Sequence, residues 1–262
     1  MSGLLRVLDT GLRPARWNIA MSAVLAELHC TGAIPDTLRF HRYPRSVLLG
    51  SHQSARREVR AKYCQRKKVE VARRVTGGGT VYMCPSILAW DLVIERRHFG
   101  LRLGDAMEFM GVALAAGLAR LGLPARFMAP DEITIDGRRN TGLTAEFDES
   151  SLVMQGVIRI DSDPNEIADA LKATAAAEKR QPIVASLSEF FGRVPPLEEI
   201  KAVLVAQLSH TLRRDVVSGI VGVEEAALTE RLLAEEIGTD TFVMGDIRNG
   251  KAAALCREMH AP

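Results

Sequence analysis

A short segment that pairs two arginines with three glycines constrains this 262-residue chain more than any other feature. The segment reads Arg73-Arg74-Val75-Thr76-Gly77-Gly78-Gly79-Thr80-Val81-Tyr82 and follows an apolar stretch, 69–72, that predicts a strand. Three glycines at a strand end let the backbone approach a ligand closely and expose several N–H groups. Two guanidinium groups beside them supply bidentate donors for phosphate or carboxylate. The pattern predicts an anion-binding loop, with an unliganded flexible turn as the alternative.

This loop differs from two common phosphate-binding motifs. A Walker loop requires Gly-Lys followed by Ser or Thr, which the segment lacks. A dinucleotide-binding fingerprint requires the pattern G-x-G-x-x-G at the start of a helix, and that pattern is also missing. The segment therefore indicates an anion site of another type.

The composition excludes several classes of protein. Apolar residues make up 47% of the chain and charged residues 25%, which is typical of a soluble globular protein. The net charge of +2 provides no global field that would drive binding to nucleic acid or to a membrane. We expect a cytoplasmic protein with no signal peptide and no membrane-spanning segment.

The cysteines and histidines give no sign of a metal site. The cysteines are Cys30, Cys64, Cys84 and Cys256. They are far apart and form no C-x-x-C pair, which argues against a zinc ribbon, an iron–sulfur cluster or a disulfide framework. The six histidines are not spaced like metal ligands. We therefore expect a reduced chain with no metal held by its own side chains.

Apolar periodicity predicts a mixture of strands and helices. Helices are predicted from Trp17 to a stop at Thr31-Gly32, from Met107 to Leu121, from Pro164 to about Ala177, and over 198–213 and 223–236. Strands are predicted over 46–50, 69–72, 88–94 and 151–160, and alternation over 38–43 predicts a half-buried strand. Asp136-Gly137 lies between two alternating runs and predicts a hairpin. These elements favour an α+β fold with mixed and antiparallel sheets packed with helices.

A change in texture after residue 160 suggests a division of the chain. A polar link at 178–182 precedes the last helices, so a soft boundary falls between residues 180 and 195. We take residues 1–185 as a catalytic domain and residues 186–262 as a small accessory C-terminal segment.

Residues 56–74 carry an excess of positive charge. The basic residues are Arg56, Arg57, Arg60, Lys62, Arg66, Lys67, Lys68, Arg73 and Arg74. They face only Glu58 and Glu70 within the segment. Such a run is either a solvated helix face or a docking patch for an acidic macromolecule, whose attraction salt would screen. Aromatic residues are not interleaved with the charges, which argues against nucleic-acid binding.

Together, these segments resemble the lipoate–protein ligase family, within the broader group of lipoyl and biotinyl protein ligases and octanoyl transferases. Residues 73–82 match the family hallmark R-R-x-[ST]-G-G-G-x-V-[FY]. Residues 136–142 match the second hallmark, D-G-[RK]-K-x-[ST]-G, except that Arg139 stands at the usual lysine position. Gln155-Gly156 stands where the family often has His-Gly. The similarity extends to residues 8–21, 37–53 and 187–192 and so runs through most of the chain.

The resemblance implies a fold and a reaction. The fold would be that of the biotinyl and lipoyl ligases, related to class II aminoacyl synthetases, with a small helical C-terminal segment. The enzyme would activate lipoate or octanoate with ATP to an acyl-adenylate and transfer the acyl group to a lysine of a lipoyl carrier domain. Mg²⁺ would enter with the nucleotide. Lipoyl carriers are commonly acidic, so the basic patch over residues 56–74 could bind one.

The resemblance also assigns residues to the site. The nucleotide and acyl-adenylate would be bound by Arg74, Gly77, Gly78, Gly79, Thr80, Val81, Tyr82, Asp131, Arg139, Thr141 and Gly142. Arg139 would also be catalytic, while Arg73, Gln155 and Gly156 would play supporting roles. The hairpin over 131–142 would cover the mixed anhydride. The strands over 46–50 and 88–94 are apolar enough to wall a slot for the acyl tail.

Departures from the family pattern keep two alternatives open. Arg139 retains a positive charge, but its planar fork is not equivalent to a compact ammonium, which favours a non-catalytic acyl-binding protein. The polar H-D-x-G-N that ligases carry after the glycine loop is replaced by apolar and small residues at 83–87. Related transferases use a cysteine nucleophile without ATP, but no cysteine occurs from residue 85 to 255. Cys84 could serve if Arg74 stabilised its thiolate; otherwise it is a small buried residue.

Overall fold

The computed structural model of the chain describes residues 3–100, 102–172 and 184–245. The strands are β1 (Gly3–Leu12), β2 (Thr37–Arg42), β3 (Ser46–Leu49), β4 (Glu70–Arg73), β5 (Val81–Met83), β6 (Ile87–Glu95), β7 (Ala125–Met128), β8 (Glu132–Ile135), β9 (Arg138–Asp148), β10 (Ser151–Arg159) and β11 (Arg214–Ser218). The helices are α1 (Ala15–Cys30), α2 (Ala55–Glu58), α3 (Ala61–Lys67), α4 (Leu103–Ala119), α5 (Pro164–Ala170), α6 (Leu187–Phe191), α7 (Leu197–Leu212), α8 (Val223–Leu232) and α9 (Asp240–Met244). Cys256, the whole polar link over 178–182 and the last residues of the helix predicted to about Ala177 lie outside the described residues.

Two sheets of unequal size organise these elements. The main sheet has the order β11-β1-β2-β6-β10-β9-β8-β7. Strand β1 pairs in parallel with β11 and β2, and the remaining neighbours are antiparallel. The small sheet has the order β4-β3-β5 and is also mixed. The predicted α+β fold with mixed sheets and packed helices is confirmed.

The hydrophobic core covers both faces of the main sheet. Strand β6 is therefore buried along nearly its whole length. Its alternate residues Leu88, Trp90 and Leu92 face a cluster that includes side chains from α4 and α7. Ile87 and Ala89 face the opposite cluster, which includes side chains from α1 and the small sheet. A strand covered on both faces has a nearly continuous apolar run, which is what the sequence over 88–94 shows.

Strand β2 corrects one sequence prediction. Alternation predicted a half-buried strand, but every residue of β2 except Arg42 is buried. The polar residues Arg39 and His41 point to a covered face rather than to water. Arg39 can be buried there because its Nη2 atom lies 2.7 Å from Oδ2 of Asp91 on β6.

The predicted hairpin joins β8 to β9 and is confirmed. Asp136 and Gly137 both have positive φ, 50° and 74°, as a two-residue type I′ turn requires. The pairing register then shifts between Ile133 and Thr134, because β9 contains one extra residue at this point. A bulge of this kind redirects the side chains on one side of it. Its place beside Arg139 determines where that guanidinium points.

Elements after residue 186 pack directly on earlier ones. Helix α7 lies on α4, β11 extends the main sheet beside β1, and α8 lies on α1. The predicted helix over 223–236 is α8 followed by a π-helical turn, Leu233–Ile237. The division of the chain at residue 185 stays a prediction. Within the described residues, none of the helices has both the length and the apolar character needed to cross a membrane.

Candidate active site

A cavity of about 900 Å³ is lined by residues from both sheets. Its apolar lining includes Leu48, Val81, Met83, Ala89, Trp90, Leu143, Val157 and Leu171. The strands over 46–50 and 88–94 both contribute, in the region where the sequence predicts an apolar slot. Pockets of this size and mixed polarity are typical small-molecule sites.

Most of the predicted site residues line this cavity. They are Arg74, Gly78, Gly79, Thr80, Val81, Tyr82, Asp131, Arg139, Gly142, Gln155 and Gly156. Arg73, Gly77 and Thr141 are not among the lining residues. The glycine loop and the hairpin therefore reach the same cavity, although about 60 residues separate them in the chain.

Arg74 shapes the glycine loop as well as lining the cavity. Its Nη2 atom donates to the carbonyl oxygens of Gly77 and Gly79, each at 2.9 Å. A Cβ atom placed on Gly50 would lie 2.1 Å from the Gly78 carbonyl oxygen, so the loop needs glycine across from it. Burial lowers the pKa of Arg74, and its Nε atom has no hydrogen-bond partner among the described residues.

Arg73 points away from the cavity and holds the loop from behind. Its guanidinium donates to backbone carbonyls in two segments. The acceptors are Gly50, Ser51 and Gln53, which follow β3, and Phe242, Val243 and Gly245, in and just after α9. This placement suits the supporting role that the sequence suggests for Arg73.

A chain of hydrogen bonds connects the glycine loop to the buried polar group beneath it. The Thr76 hydroxyl donates to Oε1 of Gln155 at 3.0 Å, and Nε2 of Gln155 donates to Oδ1 of Asp91 at 2.8 Å. Asp91 also accepts from Ser22 and forms the ion pair with Arg39. Burial alone would raise the pKa of Asp91, but the charge of Arg39 and these hydrogen bonds hold it below the ordinary value.

His41 and Tyr43 line the cavity, although sequence reasoning did not include them in the site. Their rings meet edge to face, and Nε2 of His41 lies 3.2 Å from the Tyr43 hydroxyl. Burial, with the nearby charge of Arg39, lowers the pKa of His41 to about 3. The imidazole is therefore neutral at physiological pH. The sequence feature that could have indicated these residues is the polar residues at alternate positions, Arg39 and His41, in a strand that is buried in the structure.

The bulge in β9 places Arg139 over Gly142 on the cavity side. A Cβ atom at Gly142 would lie 2.9 Å from Nη2 of Arg139, so glycine leaves room for the guanidinium. Nη1 of Arg139 lies 3.2 Å from Oε1 of Glu132, which also lines the cavity. The adjacent Asn140 is fully buried and donates to the carbonyls of Arg159 and Ala185. Glu132, Asn140 and Gly142 thus hold the predicted catalytic arginine, Arg139, at the cavity.

Two further charged residues of the cavity, Glu132 and Arg159, were missed from the sequence. Glu132 precedes the apolar hairpin residues and gave no signal that it would pair with Arg139. Arg159 ends β10 and donates from Nη1 to the carbonyl oxygen of Asn140 at 2.9 Å. A lone arginine at a strand end resembles an ordinary solvated terminus, so no local pattern marks it.

The described cysteines and histidines add no obvious catalytic group. Cys84 is buried, with its sulfur 3.2 Å from the Ser86 hydroxyl, and it is not among the residues lining the cavity. His52 does not line the cavity either. Across residues 3–100, 102–172 and 184–245, no group of three or more His, Cys, Asp or Glu side chains could hold a metal ion.

The positive charge of the 56–74 segment divides between a buried part and an exposed part. We define the basic face as the exposed residues Arg56, Arg57, Arg60, Lys62, Arg66, Lys67 and Lys68. Arg73 and Arg74 belong to the interior instead, so the predicted patch is smaller than its sequence range. Leu171, a cavity residue, forms a β-bridge with Val59 inside this segment, and Lys172 donates to the Arg56 carbonyl. The basic face therefore adjoins a cavity wall.

Comparison with known proteins finds similarity over nearly the whole chain. The model of the lipoyl protein ligase A/B catalytic domain family matches residues 14–209. Octanoyltransferase LipM of Moorella thermoacetica is 27% identical, over 98% of this chain and 94% of its own length. Lipoate-protein ligase A subunit 1 of Thermoplasma acidophilum is 25% identical, over 95% of this chain and 98% of its own.

A solved structure shares the fold. The crystal structure of a lipoate-protein ligase A bound with ATP superposes with a TM-score of 0.82 at 24% sequence identity. The match covers 94% of this chain and all of the solved chain. At this identity the match shows a common arrangement of strands and helices.

Proposed function

The chain belongs to the lipoyl protein ligase A/B catalytic domain family, and we propose that it is an ATP-dependent ligase within that family. It would activate lipoate or octanoate to an acyl-adenylate and then transfer the acyl group to a lysine of a lipoyl carrier domain. ATP would enter with Mg²⁺ on its phosphates.

The observation that carries this proposal is that Arg74 and Arg139 line one cavity. Arg74 comes from the glycine loop and Arg139 from the hairpin. Formation of an acyl-adenylate requires a carboxylate and a triphosphate, both anionic, to be held side by side. Two guanidinium groups in a cavity with a partly apolar lining would supply the positioning and the charge neutralisation that this step needs.

The reaction itself has two balanced steps. A carboxylate oxygen attacks the α-phosphorus, the bond to the bridging oxygen breaks, and pyrophosphate leaves. The neutral amine of the carrier lysine then attacks the acyl carbon, loses a proton, and AMP leaves. In both steps negative charge develops on phosphate oxygens, where Arg74 and Arg139 would stabilise it. His41 is neutral and would serve as a hydrogen-bonding or packing group rather than as a cation.

The apolar lining of the cavity suits a medium-length acyl tail. Leu48, Ala89 and Val157 line it and belong to, or pack against, one buried hydrophobic cluster. An eight-carbon chain transferred from water to such a wall gains about 0.8 kcal/mol for each buried methylene group. The dithiolane ring of lipoate is apolar as well, so the lining favours both acyl groups.

An ATP-independent octanoyl transferase is the second candidate. The similarity to octanoyltransferase LipM supports it. Such a transferase relays its acyl group through a nucleophile, and the cavity lining within the described residues contains no cysteine. Cys84 is buried and is not among the lining residues, which favours the ligase. A third candidate, an acyl-binding protein without catalysis, rests on Arg139 standing at the family's lysine position.

The basic face offers a docking surface for the carrier. Its side chains are exposed, and they adjoin the cavity wall through Val59 and Leu171. An acidic lipoyl domain bound there would bring its lysine close to the cavity. Long-range attraction between opposite charges would speed this encounter and weaken at high salt.

One set of incubations separates the three candidates. The purified chain is mixed with a lipoyl domain and either octanoate plus ATP or an octanoyl carrier protein without ATP, and the domain is analysed by mass spectrometry. The ligase modifies the domain only with ATP and releases pyrophosphate. Modification from the octanoyl carrier without ATP identifies the transferase. No modification under either condition, together with binding of octanoate, identifies the acyl-binding protein.

A further inference from the structure

We propose that Arg159 is an anion-binding residue of the cavity and forms, with Arg139, a paired guanidinium site for one phosphate or carboxylate group. Arg159 lies outside the glycine loop and the hairpin. The inference rests on the proposed function only for the identity of the molecule that carries the anion.

The position of Arg159 follows from the alternation of β10. Gln155, Val157 and Arg159 all line the cavity, while Met154 and Ile158 are buried in the core on the opposite face. Successive residues of a strand point to opposite faces, so the cavity side of β10 reads polar, apolar, charged. Arg159 therefore stands at one end of this lining and Gln155 at the other. Four residues of extended strand separate the two by roughly 13 Å.

The hydrogen bonding of Arg159 is incomplete. Nη1 donates to the Asn140 carbonyl oxygen, whereas Nε is buried and has no partner among the described residues. A buried donor without a partner is costly, so native proteins usually satisfy such groups with protein, water or ligand. By contrast, the hydrogen-bond donors of the Arg73 guanidinium are satisfied by several backbone carbonyls. Arg159 is partly buried and has no equivalent set of acceptors.

Arg139 completes the pair. Its Nε atom is likewise buried without a partner in the part of the chain that the structure describes, and its Nη1 atom lies 3.2 Å from Oε1 of Glu132 in an ion pair. Burial lowers the pKa of Arg159 to about 10, and the positive charge of Arg139 contributes to the decrease. Two cations that repel each other in a partly buried setting are stabilised by an anion placed between them. Glu132 supplies one negative charge, and a bound anion would supply the second.

Two parts of the expected substrates could provide this anion. One is the phosphate of a nucleotide, and the other is the carboxylate of the fatty acid. Both present paired oxygens that match the fork of a guanidinium. Each source has a neutral counterpart of similar shape: adenosine for AMP and octanol for octanoate.

The test compares each anion with its neutral counterpart, using the full chain and titration calorimetry. Arg159→Met keeps an unbranched apolar stem but removes the guanidinium group and its charge. We expect it to weaken binding of AMP, of octanoate or of both by about tenfold or more, since a charged hydrogen bond is lost. Binding of adenosine and octanol should change by less than about twofold. The arm that loses affinity identifies the source of the anion.

Controls separate a binding role from a structural one. Arg120→Met makes the same chemical change at an exposed arginine after α4 and should leave all four affinities unchanged. Arg159→Lys keeps the charge and should recover part of the lost affinity. Equal losses for charged and neutral ligands, undiminished anion binding in Arg159→Met, or a wild-type chain that binds neither anion would each overturn the proposal. A folded variant is verified by its thermal unfolding.

The proposed ligase activity can fail independently. If the wild-type chain binds anions in an Arg159-dependent way but never modifies a lipoyl domain, the ligase proposal fails and this one stands. If the chain is an active ligase and Arg159→Met binds AMP and octanoate as the wild type does, only the Arg159 proposal fails.

Discussion

Arg73 and Arg74 are neighbours in the chain but belong to two different regions of the molecule. Arg73 is buried between the turn after β3 and α9, where its guanidinium meets backbone carbonyls. Arg74 lines the cavity, shapes the glycine loop, and keeps its Nε atom buried without a partner among the described residues. Because side chains alternate along an extended strand, consecutive arginines at its end reach opposite sides.

The difference between the two regions suggests a criterion for reading buried arginines in this fold. A guanidinium whose donors are all used by the protein stabilises the fold, whereas one with unused donors facing a cavity is available to a ligand. The criterion places Arg73 in the scaffold, and it places Arg74, Arg139 and Arg159 in the site. Substitution of Arg73 tests the scaffold side of this division.

Arg73→Met should have the largest effect on stability. The substitution leaves several buried carbonyl oxygens without a donor, and we expect the free energy of unfolding to fall by at least about 3 kcal/mol. Urea unfolding followed by circular dichroism measures this change. A decrease below about 1 kcal/mol would contradict a scaffold role for Arg73.

Arg74→Met should show the reverse pattern. We expect kcat/KM for acyl transfer to fall by about 100-fold or more, because a group that stabilises developing negative charge is removed. The free energy of unfolding should change by less than about 1 kcal/mol. Kinetic and urea measurements on both variants test the comparison. If Arg74→Met loses as much stability as Arg73→Met, the two arginines do not differ in the way proposed.

Asp91→Asn tests a third buried arginine, Arg39, whose charge the protein neutralises itself. Loss of the carboxylate leaves Arg39 uncompensated, and we expect a decrease of about 2 kcal/mol in the free energy of unfolding near pH 7. The pKa of Asp91 is lowered in the folded chain, so its contribution is complete above the unfolded pKa and is lost as the pH falls through the folded value.

The stability difference between wild type and Asp91→Asn should therefore narrow below about pH 4. Urea unfolding between neutral pH and pH 3 measures it. A difference that stays constant over this range would show that the Asp91 carboxylate does not act through its charge. Ser22→Ala, which removes a neutral donor to the same carboxylate, is the control and should retain the pH dependence.

Thr76→Val probes the hydrogen bonds that connect the glycine loop through Gln155 to Asp91. The substitution removes the hydroxyl that donates to Gln155 while keeping the shape of the side chain. We expect a loss of about 1 kcal/mol in transition-state stabilisation, or roughly fivefold in kcat/KM. Thr76→Ser, which keeps the hydroxyl, should remain near wild type. Equal kcat/KM values for the Val and Ser variants would show that the hydrogen bond from Thr76 to Gln155 does not contribute to catalysis.

The smallest expected effect belongs to the basic face, where no arginine is buried. Charge reversal at Arg56, Arg57 and Arg60 should raise KM for the lipoyl domain a few-fold at low salt, and about 0.5 M salt should abolish the difference. Charge reversal at the exposed Arg97, Arg120 and Arg193 is the matched control. An unchanged KM at low salt, or an equal rise in the control, would rule out this docking surface.

Much of the fold and part of the site could be predicted because their signals are local. The Asp136-Gly137 turn, the apolar run over 88–94 and the arginine–glycine segment each depend on a few adjacent residues. The role of Arg74 as a cavity residue remained a prediction until the loop could be seen in three dimensions. Which of two neighbouring arginines faces the cavity depends on the direction of β4, which a motif alone does not give.

The remaining features depend on residues that are distant in the chain. Strand β2 can be buried from Thr37 to His41 because Asp91, about 50 residues after Arg39, neutralises that arginine. Arg159 belongs to the site because a bulge in β9 and the alternation of β10 bring it to the same cavity as Arg139. Local periodicity indicates neither the pairing of Arg39 with Asp91 nor that of Arg159 with Arg139. The sequence therefore predicted a half-buried β2 and no role for Arg159.

The contacts of Arg73 also bear on how the molecule is made. Its carbonyl acceptors in and after α9 follow it in the chain by 169 to 172 residues. During translation the guanidinium leaves the ribosome long before these acceptors are synthesised. Nascent polypeptides that stop short of them keep only the acceptors at Gly50, Ser51 and Gln53 and lack the rest of the anchor behind the glycine loop. Completion of the polypeptide is thus coupled to completion of the contacts that hold the loop from behind.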